Sequence, residues 1–507
     1  HTIEAGDFNA GDNLATPEIE NGYYDLGSGN EHFAYIPSFL LDKLKLIPRN
    51  YPRSEYYVDG SPSGADAWLA SSPTDTTKDP SEWTTVLVAG MRQGGDGYLA
   101  LDVTDPTATS GPHGPYPKLL WELYDPAIPL GETWSEPIIT RIKVKAQAGF
   151  GDHCGTNTLD DGDCREQWVA IFGGGFRSEA DPNLPTYVSS PASASWSDDS
   201  KAIFVVALDT GQILAQVAYD PTDAQLQQMV YALPSTPAVL DLDFDGFADL
   251  LYIGDTGGQL WKWDMSAIGE DVDNDGLFDT WRAGVLFRTP PQAVSGGGLH
   301  HRSIFFSPVA TFLSGELVLG FATGERTDIG YQGDPSRDDN NRFYVLRDLN
   351  PTGASSIPAA PYGESDLTDI TGFTSDFDLT DLGYYFVAED AEKFITNHAA
   401  FGGVFITTSY LPDDGTGSIC DADGQAFAHV FDIATGQGFF DPVSSSNQGR
   451  RVTSGLGVPS DPRITVSSSI DGGVKILLKS SAGQLVTIDA PDLAPEAVKQ
   501  VYWRQRF

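Results

Sequence analysis

Between residues 241 and 249 the chain reads DLDFDGFAD, with carboxylates at Asp241, Asp243, Asp245 and Asp249 and a glycine at Gly246. Carboxylates at positions 1, 3, 5 and 9 of a curling loop converge on one point. A glycine at position 6 allows the sharp bend, and the carbonyl of Phe247 at position 7 adds another oxygen. Hard oxygen donors in this number suit Ca²⁺, which takes about 6–8 of them, better than the strict octahedron of Mg²⁺. Thirty residues on, DVDNDGLFD repeats the pattern with Asp271, Asp273, Asp275, the carbonyl of Leu277, and Asp279. The sequence therefore predicts one calcium ion at the first loop and allows a second at the repeat. Neither is an EF-hand: Tyr252 stands at position 12 of the first loop where that motif has Glu, and an apolar run, DLLYIGD, follows where it has a helix. Without an ion, carboxylates this close repel one another, so the loop is expected to be loose when empty and ordered when filled.

Other polar groupings carry less. Asp59, Ser61 and Ser63 in DGSPSG match a D-x-S-x-S metal pattern, but no strand–helix alternation surrounds them, and a turn is expected there. His300 and His301 are adjacent, so an extended backbone points them to opposite faces. Trp261 and Trp263 share one face of a strand and read as packing residues. Cys154 and Cys164 bracket the hydrophilic stretch CGTNTLDDGDC, which cannot hold itself by burial, and are read as a disulfide. Zinc, with His153 as a further ligand, is the weaker alternative, and Cys420 is read as a buried free thiol.

The elements around these residues are short. Helical periodicity is scarce, whereas β-branched or aromatic runs alternate with Gly- or Asp-containing turns. Examples are TTVLVAG with GDGYLALDVTDP, AIFVVALDTGQILAQV, and DLLYIGDTGGQLWKWD. Several units end a strand on Asp before a turn, as in YLALD, VVALD and LWKWD. Imperfect repeats of short antiparallel strands predict an all-β modified β-propeller, one domain across residues 1–507, with about seven blades. The first acidic loop then joins two strands of one blade, and the second is expected in a connection between blades. Long polar loops interrupt the units, and a short helix is expected in DPTDAQLQQMVYAL from Asp220.

With 507 residues, 40% of them hydrophobic and 11% aromatic, the chain holds ample material for a large core. Its net charge of −41 repels phosphate backbones and anionic head groups, which argues against nucleic acid as a partner and favours a salty, extracellular setting. No apolar run reaches the length of about 18 residues that a membrane span needs. A chain that opens at His1 without a signal-like segment, and that carries a disulfide, is expected to be a processed or partial form of an exported protein. No nucleophile elbow, phosphate loop, zinc-protease or dinucleotide motif occurs, so nothing argues for an enzyme.

The run PSTPAVLDLDFDGFADLLYIGDTGGQLWKWDM resembles the calcium-binding core of the C-terminal domain of PilY-type proteins, the type IV pilus tip and biogenesis factors. Further segments resemble it in order: HFAYIPSFLLDKL, YYVDGSPSGADAW, WTTVLVAGMRQGGDGYLALDVTDP, WSEPIITRI, WVAIFGGGF, VVALDTGQIL, VLGFATGERTD and the terminal VYWRQRF. The resemblance implies a modified propeller at the cell surface or pilus tip, with periplasmic or outer-membrane association as the alternative. It implies roles in pilus assembly, in countering retraction and in adhesion to host or abiotic surfaces. Minor pilins at the tip and the assembly machinery are the implied partners. It also implies that calcium at Asp241, Asp243, Asp245, Phe247 and Asp249 acts as a switch. The adhesive N-terminal region usual in full-length members lies outside this chain, and the second acidic loop is not part of the resemblance. Two other classes remain open: a quinoprotein-like dehydrogenase propeller, and an integrin-like FG-GAP propeller with purely structural calcium.

Overall fold

The computed structural model describes residues 28–47, 55–70, 78–145, 154, 164–293, 299–327, 329–330, 340–372, 381–413, 424–440, 449–466, 474–490 and 499–500, with short strands at 2–3, 8–9 and 23–24. Among them, six sheets of three or more strands follow one another along the chain. Each is a blade. The first comprises Ser63–Trp68, Trp83–Gly90, Tyr98–Asp102 and Lys118–Leu123. The second comprises Ile138–Lys145, Cys164–Gly173, Ala202–Ala207 and Ile213–Ala218. The third comprises Ala238–Leu240, Leu250–Gly254, Gln259–Asp264 and Arg282–Arg288. In the fourth, Val309–Leu313, Glu316–Ala322, Arg342–Asp348 and Gly383–Val387 form the meander. Lys499–Gln500 pairs with the innermost of these strands and Thr368–Asp369 with the outermost. The fifth is built on Ala399–Phe401, Val404–Leu411, Gln425–Asp432 and Arg451–Leu456, and the sixth on Arg463–Val466, Val474–Lys479 and Leu485–Ala490.

Two local devices repeat. A proline, Pro62, Pro137, Pro237, Pro308 or Pro462, stands immediately before the innermost strand of blades one, two, three, four and six. Proline lacks an N–H, so the start of a strand is where a ladder tolerates it. An aspartate ends the third strand of four blades, and its Oδ1 accepts a backbone N–H just beyond: Asp102 from Thr104, Asp264 from Ser266, Asp348 from Asn350 and Asp432 from Thr435. These Asx turns explain the strand-final Asp seen in the sequence.

Consecutive blades share cores because successive side chains of a strand face opposite ways. In Leu250–Gly254, Leu251 and Ile253 join Ile171, Trp261 and Trp263 between blades two and three. Leu250 and Tyr252 join Phe287, Phe321 and Tyr344 between blades three and four. Similar clusters lie between blades one and two, four and five, and five and six. Both faces being covered, such strands are apolar throughout rather than alternating.

The helix expected after Asp220 is only a 3₁₀ turn, Leu226–Gln228. Asp220 and Asp223 accept the N–H groups of Thr222, Gln225 and Leu226, a local alternative to helical bonding. A segment this short cannot offset the cost of helix nucleation.

Between blades four and five lies a sealed polar cluster. His429 Nε2 is 2.9 Å from Glu392 Oε1 and 2.9 Å from Ser409 Oγ, and Glu392 and His429 are fully buried. Burial alone would raise the Glu392 carboxyl; the hydrogen bond and charge of His429, the charge of Arg451 and the Ser409 hydroxyl override it and hold it at about 2. A carboxyl depressed below its unfolded value of about 4.3 stabilises the fold above that pH, and the stabilisation is lost as pH falls toward 2. Urea titrations between pH 6 and 2.5 are expected to show this loss in the parent chain. The Glu392→Gln variant should lack that component; an identical pH profile in the variant would refute the assignment.

Candidate metal centre

The first acidic loop connects Ala238–Leu240 to Leu250–Gly254, so it is the turn between the two inner strands of blade three. The hairpin closes it from both sides: Asp249 N donates to Leu240 O at 2.7 Å, and Met265 N donates to Asp249 O at 2.8 Å. Inside, carboxylates take the backbone donors of the curl. Asp241 Oδ2 accepts from Gly246 N at 2.7 Å, Asp243 Oδ1 from Asp245 N at 3.2 Å, Asp245 Oδ1 from Phe247 N at 3.0 Å and Asp249 Oδ2 from Leu242 N at 2.7 Å. Phe244 and Gly246 are left-handed, at φ 62° and 90°. This path leaves one carboxylate oxygen each of Asp241, Asp243 and Asp245 within 4.8 Å of one another.

The second loop runs along the same path. Asp271 Oδ2 accepts from Gly276 N at 3.0 Å, Asp273 Oδ1 from Asp275 N at 3.1 Å, Asp275 Oδ1 from Leu277 N at 2.8 Å and Asp279 Oδ2 from Val272 N at 2.8 Å. Asn274 and Gly276 are left-handed at φ 65° and 98°, and oxygens of Asp271, Asp273 and Asp275 converge within 4.8 Å. Asp249 and Asp279 stand outside the two converging groups, as suits a ninth-position residue that often reaches an ion through water. The second loop does not connect blades, contrary to expectation. It lies within blade three, between Gln259–Asp264 and the outermost strand Arg282–Arg288. LWKWD reads as the end of a unit, whereas a fourth strand, whose RAGVLFR pattern is short and bounded by arginines, still follows.

Surroundings distinguish the loops. The first is partly buried, and burial, with the charges of Asp243, Asp245 and Asp241 adding to it, raises the Asp249 carboxyl to about 6 against the Leu242 hydrogen bond. Burial also raises Asp241. Blade two supplies cations: Lys143 Nζ is 2.5 Å from Asp245 Oδ2, and Arg141 Nε donates to Gly246 O at 3.0 Å. A Cβ at Gly246 would come within 2.0 Å of the Arg141 guanidinium. Burial works against the Lys143 charge, but the hydrogen bond to Asp245 and the nearby carboxylates hold its pKa above the ordinary value. The sequence signal for both residues is RIKVK, whose positions 141 and 143 share one strand face.

The bonded pair Cys154–Cys164, with Cα atoms 5.8 Å apart, packs with the buried Phe247 ring and with Ile268. The disulfide thus backs the first loop. At the second loop a Cβ on Gly276 would meet nothing within 4 Å, and Asp271 Oδ1 is a buried oxygen without a hydrogen-bond donor. In both loops the donor set is all oxygen and mostly anionic, the chemistry of a hard divalent cation. Zinc at Cys154 and Cys164 does not fit, since the two sulfurs are joined to each other. His153 and Cys420 lie outside the described residues.

The remaining polar groups take structural places. His301 Nδ1 lies 3.2 Å from Gly257 O, its ring beside Tyr231, and Trp261 and Trp263 are buried between blades two and three. The segment at Asp59 leads into the first blade strand at Ser63.

The family model described as the PilY1 beta-propeller domain matches residues 20–328, more than half of the chain and all of both acidic loops. The chain belongs to the PilY1 beta-propeller domain family. The type IV pilus biogenesis factor PilY1 of Pseudomonas aeruginosa is 31% identical over 273 residues, covering 53% of this chain and 18% of that protein. A PilY1 homolog of Xylella fastidiosa is 26% identical over 455 residues, covering 84% of this chain and 26% of its own length. The chain therefore spans about a fifth to a quarter of these PilY1 relatives. The crystal structure of the P. aeruginosa PilY1 C-terminal domain superposes with a TM-score of 0.55 at 22% identity, covering 93% of this chain and 90% of that one. That likeness shows the PilY1 propeller fold. Among the described residues no helix is long and apolar enough to cross a membrane.

Proposed function

We propose that this chain is the calcium-binding propeller of a type IV pilus biogenesis factor. In this reading it is exported, acts at the pilus tip and cell surface, and is not an enzyme. It supports pilus assembly, counters retraction and promotes adhesion to host or abiotic surfaces. The converging oxygens of Asp241, Asp243 and Asp245, built into a hairpin of the matched PilY1 domain, carry the reading. Residues 1–507 are taken as one propeller domain, because five inter-blade cores link the six sheets in sequence.

Bound Ca²⁺ would supply the positive charge that the acidic cluster lacks. Asp241, Asp243 and Asp245 would hold it with the Phe247 carbonyl, and Asp249 would support them from its buried position. Asp271, Asp273, Asp275 and the Leu277 carbonyl, with Asp279 behind them, would hold a second ion. The switch resides in the first loop because its curl meets cations of blade two, Lys143 and Arg141, whereas the second loop reaches that blade through a backbone bond, Phe278 N to Leu214 O at 2.9 Å. A change in the charge of the loop therefore changes an inter-blade contact. Such a change alters pilus binding only through differential affinity for the two states. The minor pilins of the tip and the assembly machinery are the partners in this reading.

The test is binding of the chain to purified type IV pili with calcium and with chelator. Calcium-dependent capture at filament ends, seen by gold labelling, is the expected result. If chelation lowers only the melting temperature and leaves capture unchanged, calcium is a structural staple and the switch is refuted. Failure to bind pili under either condition would refute the pilus assignment.

A further inference from the structure

On the propeller axis, the segments leading into the blades enclose a cavity of about 340 Å³. Its wall draws on all six blades. Gly90 ends the second strand of blade one and Arg92 follows it, and Trp134 to Pro137 lead into blade two. Arg326 follows the second strand of blade four, and Asp461 and Arg463 open blade six. The acidic loops take no part in it. The segments that carry the arginines, AGMRQGG, TGERTD and DPRITV, are unrelated in sequence position.

Three guanidiniums in one cavity are unexpected in a chain of net charge −41. Two carboxylates, Glu136 and Asp461, share the lining. Asp461 is turned toward Asn397, whose N and Nδ2 donate to it at 2.9 and 3.1 Å. Arg92 is held in place: it has a left-handed φ of 51°, lies 4.1 Å over the Trp134 ring, and is 3.6 Å from Asp59. A non-glycine residue in that region is strained and persists where the surroundings over-determine it, often at a binding site. Arg326 and Arg463 are different. Neither donates a hydrogen bond or closes an ion pair among the described residues, although each offers five N–H donors. Burial pulls the Arg326 guanidinium below its ordinary pKa, and the charge of Arg92 adds to this, against the pull of Asp461 and Asp59.

The partly buried Arg326 guanidinium, without acceptors, costs free energy that a matching anion recovers, and a carboxylate fits the donor fork of Arg326 or of the more exposed Arg463 in two parallel bonds. The two lining carboxylates disfavour a doubly charged phosphate and tolerate a single negative charge. Trp134, Phe305 and Phe306 give the cavity apolar walls. We propose that the axial cavity binds the free carboxylate end of a peptide chain, with Arg326 and Arg463 holding the carboxylate and Arg92 positioned beside them. This makes the cavity a second recognition site, independent of the acidic loops, that reads the end of a polypeptide rather than its middle.

The experiment is calorimetric titration of the whole chain, in calcium, with a panel of acetylated tripeptides. The panel covers each of the 20 C-terminal residues, as free acids and as amides, and inorganic phosphate is titrated separately. At least one free acid is expected to bind below millimolar concentration, with its amide at least ten-fold weaker. Arg326→Gln and Arg463→Gln should each weaken that acid at least ten-fold. Arg463 is exposed, so Arg463→Gln should keep the parent melting temperature and calcium binding, and it carries the test if Arg326→Gln does not fold. Equal binding of acid and amide, no acid bound below millimolar, phosphate bound more tightly than any acid, or parent-like binding by Arg463→Gln would each overturn the proposal.

Discussion

Replacing Asp245 by Ala is expected to abolish calcium binding at the first loop, with a loss in affinity above about 100-fold. Asp245 is the most committed carboxylate of that curl. One oxygen accepts Phe247 N at 3.0 Å and the other sits 2.5 Å from Lys143 Nζ. Removing it takes away one of three converging anions and leaves the Lys143 ammonium facing the remaining two. Loss of a mere outer-shell partner of a metal ligand costs roughly 10–100-fold, so loss of a ligand costs more. In the parent chain, calcium at about 100 times its Kd adds about 2.7 kcal/mol of stability, and the variant should lose that increment at the first loop. Calorimetry reads both affinity and stoichiometry: two sites should fall to one, with Asp275→Ala removing the other. The opposite sign is expected for Lys143→Met, which removes a competing cation and should tighten binding. Undiminished calcium binding by Asp245→Ala would sink the assignment.

Truncating Asp348 to Ala should cost the fold about 3–5 kcal/mol, the range for breaking a buried ion pair from one side. Asp348 ends the third strand of blade four and its Oδ2 reaches into blade three, where it accepts from Lys262 Nζ and the Tyr252 hydroxyl. Lys262 is fully buried, and burial lowers its pKa against the pull of Asp348 and Asp264. Without Asp348 the ammonium keeps Asn350 O, at 2.7 Å, and the Tyr252 hydroxyl loses its acceptor. Urea unfolding measures the loss. The double variant Asp348→Ala, Lys262→Met should recover much of it, because an apolar pair avoids the unpaired buried charge. A loss under about 1 kcal/mol in the single variant would show that solvent reaches Lys262 and would refute its burial.

Both variants bear on how far local sequence carries the fold. The carboxylate spacing of DLDFDGFAD and DVDNDGLFD was legible because a curl of nine residues is a local object: the donors and acceptors that shape it lie within it. The strand-final Asp was legible for the same reason, as an Asx turn closes within two or three residues. The propeller class could be read from the repetition of short runs, and the PilY-type resemblance agrees with the matched family and the superposed domain.

Other features depended on which distant segments became neighbours. The second acidic loop reads from sequence as a connection between blades because a fourth strand bounded by arginines carries little periodic signal; pairing with Gln259–Asp264 makes that strand the blade's edge and keeps the loop within the blade. RIKVK marks a strand with basic residues on one face, but only the packing of blade two on blade three sets Lys143 and Arg141 against the acidic curl. Arg92, Arg326 and Arg463 are unremarkable in their own segments, and the ring of blades brings them to one cavity. The sequence by itself determined the turns, the carboxylate curls and the alternation of apolar runs, because those forces act over a few residues. The tertiary structure alone decided which charges meet, because Coulombic and packing partners are chosen by the path of the whole chain.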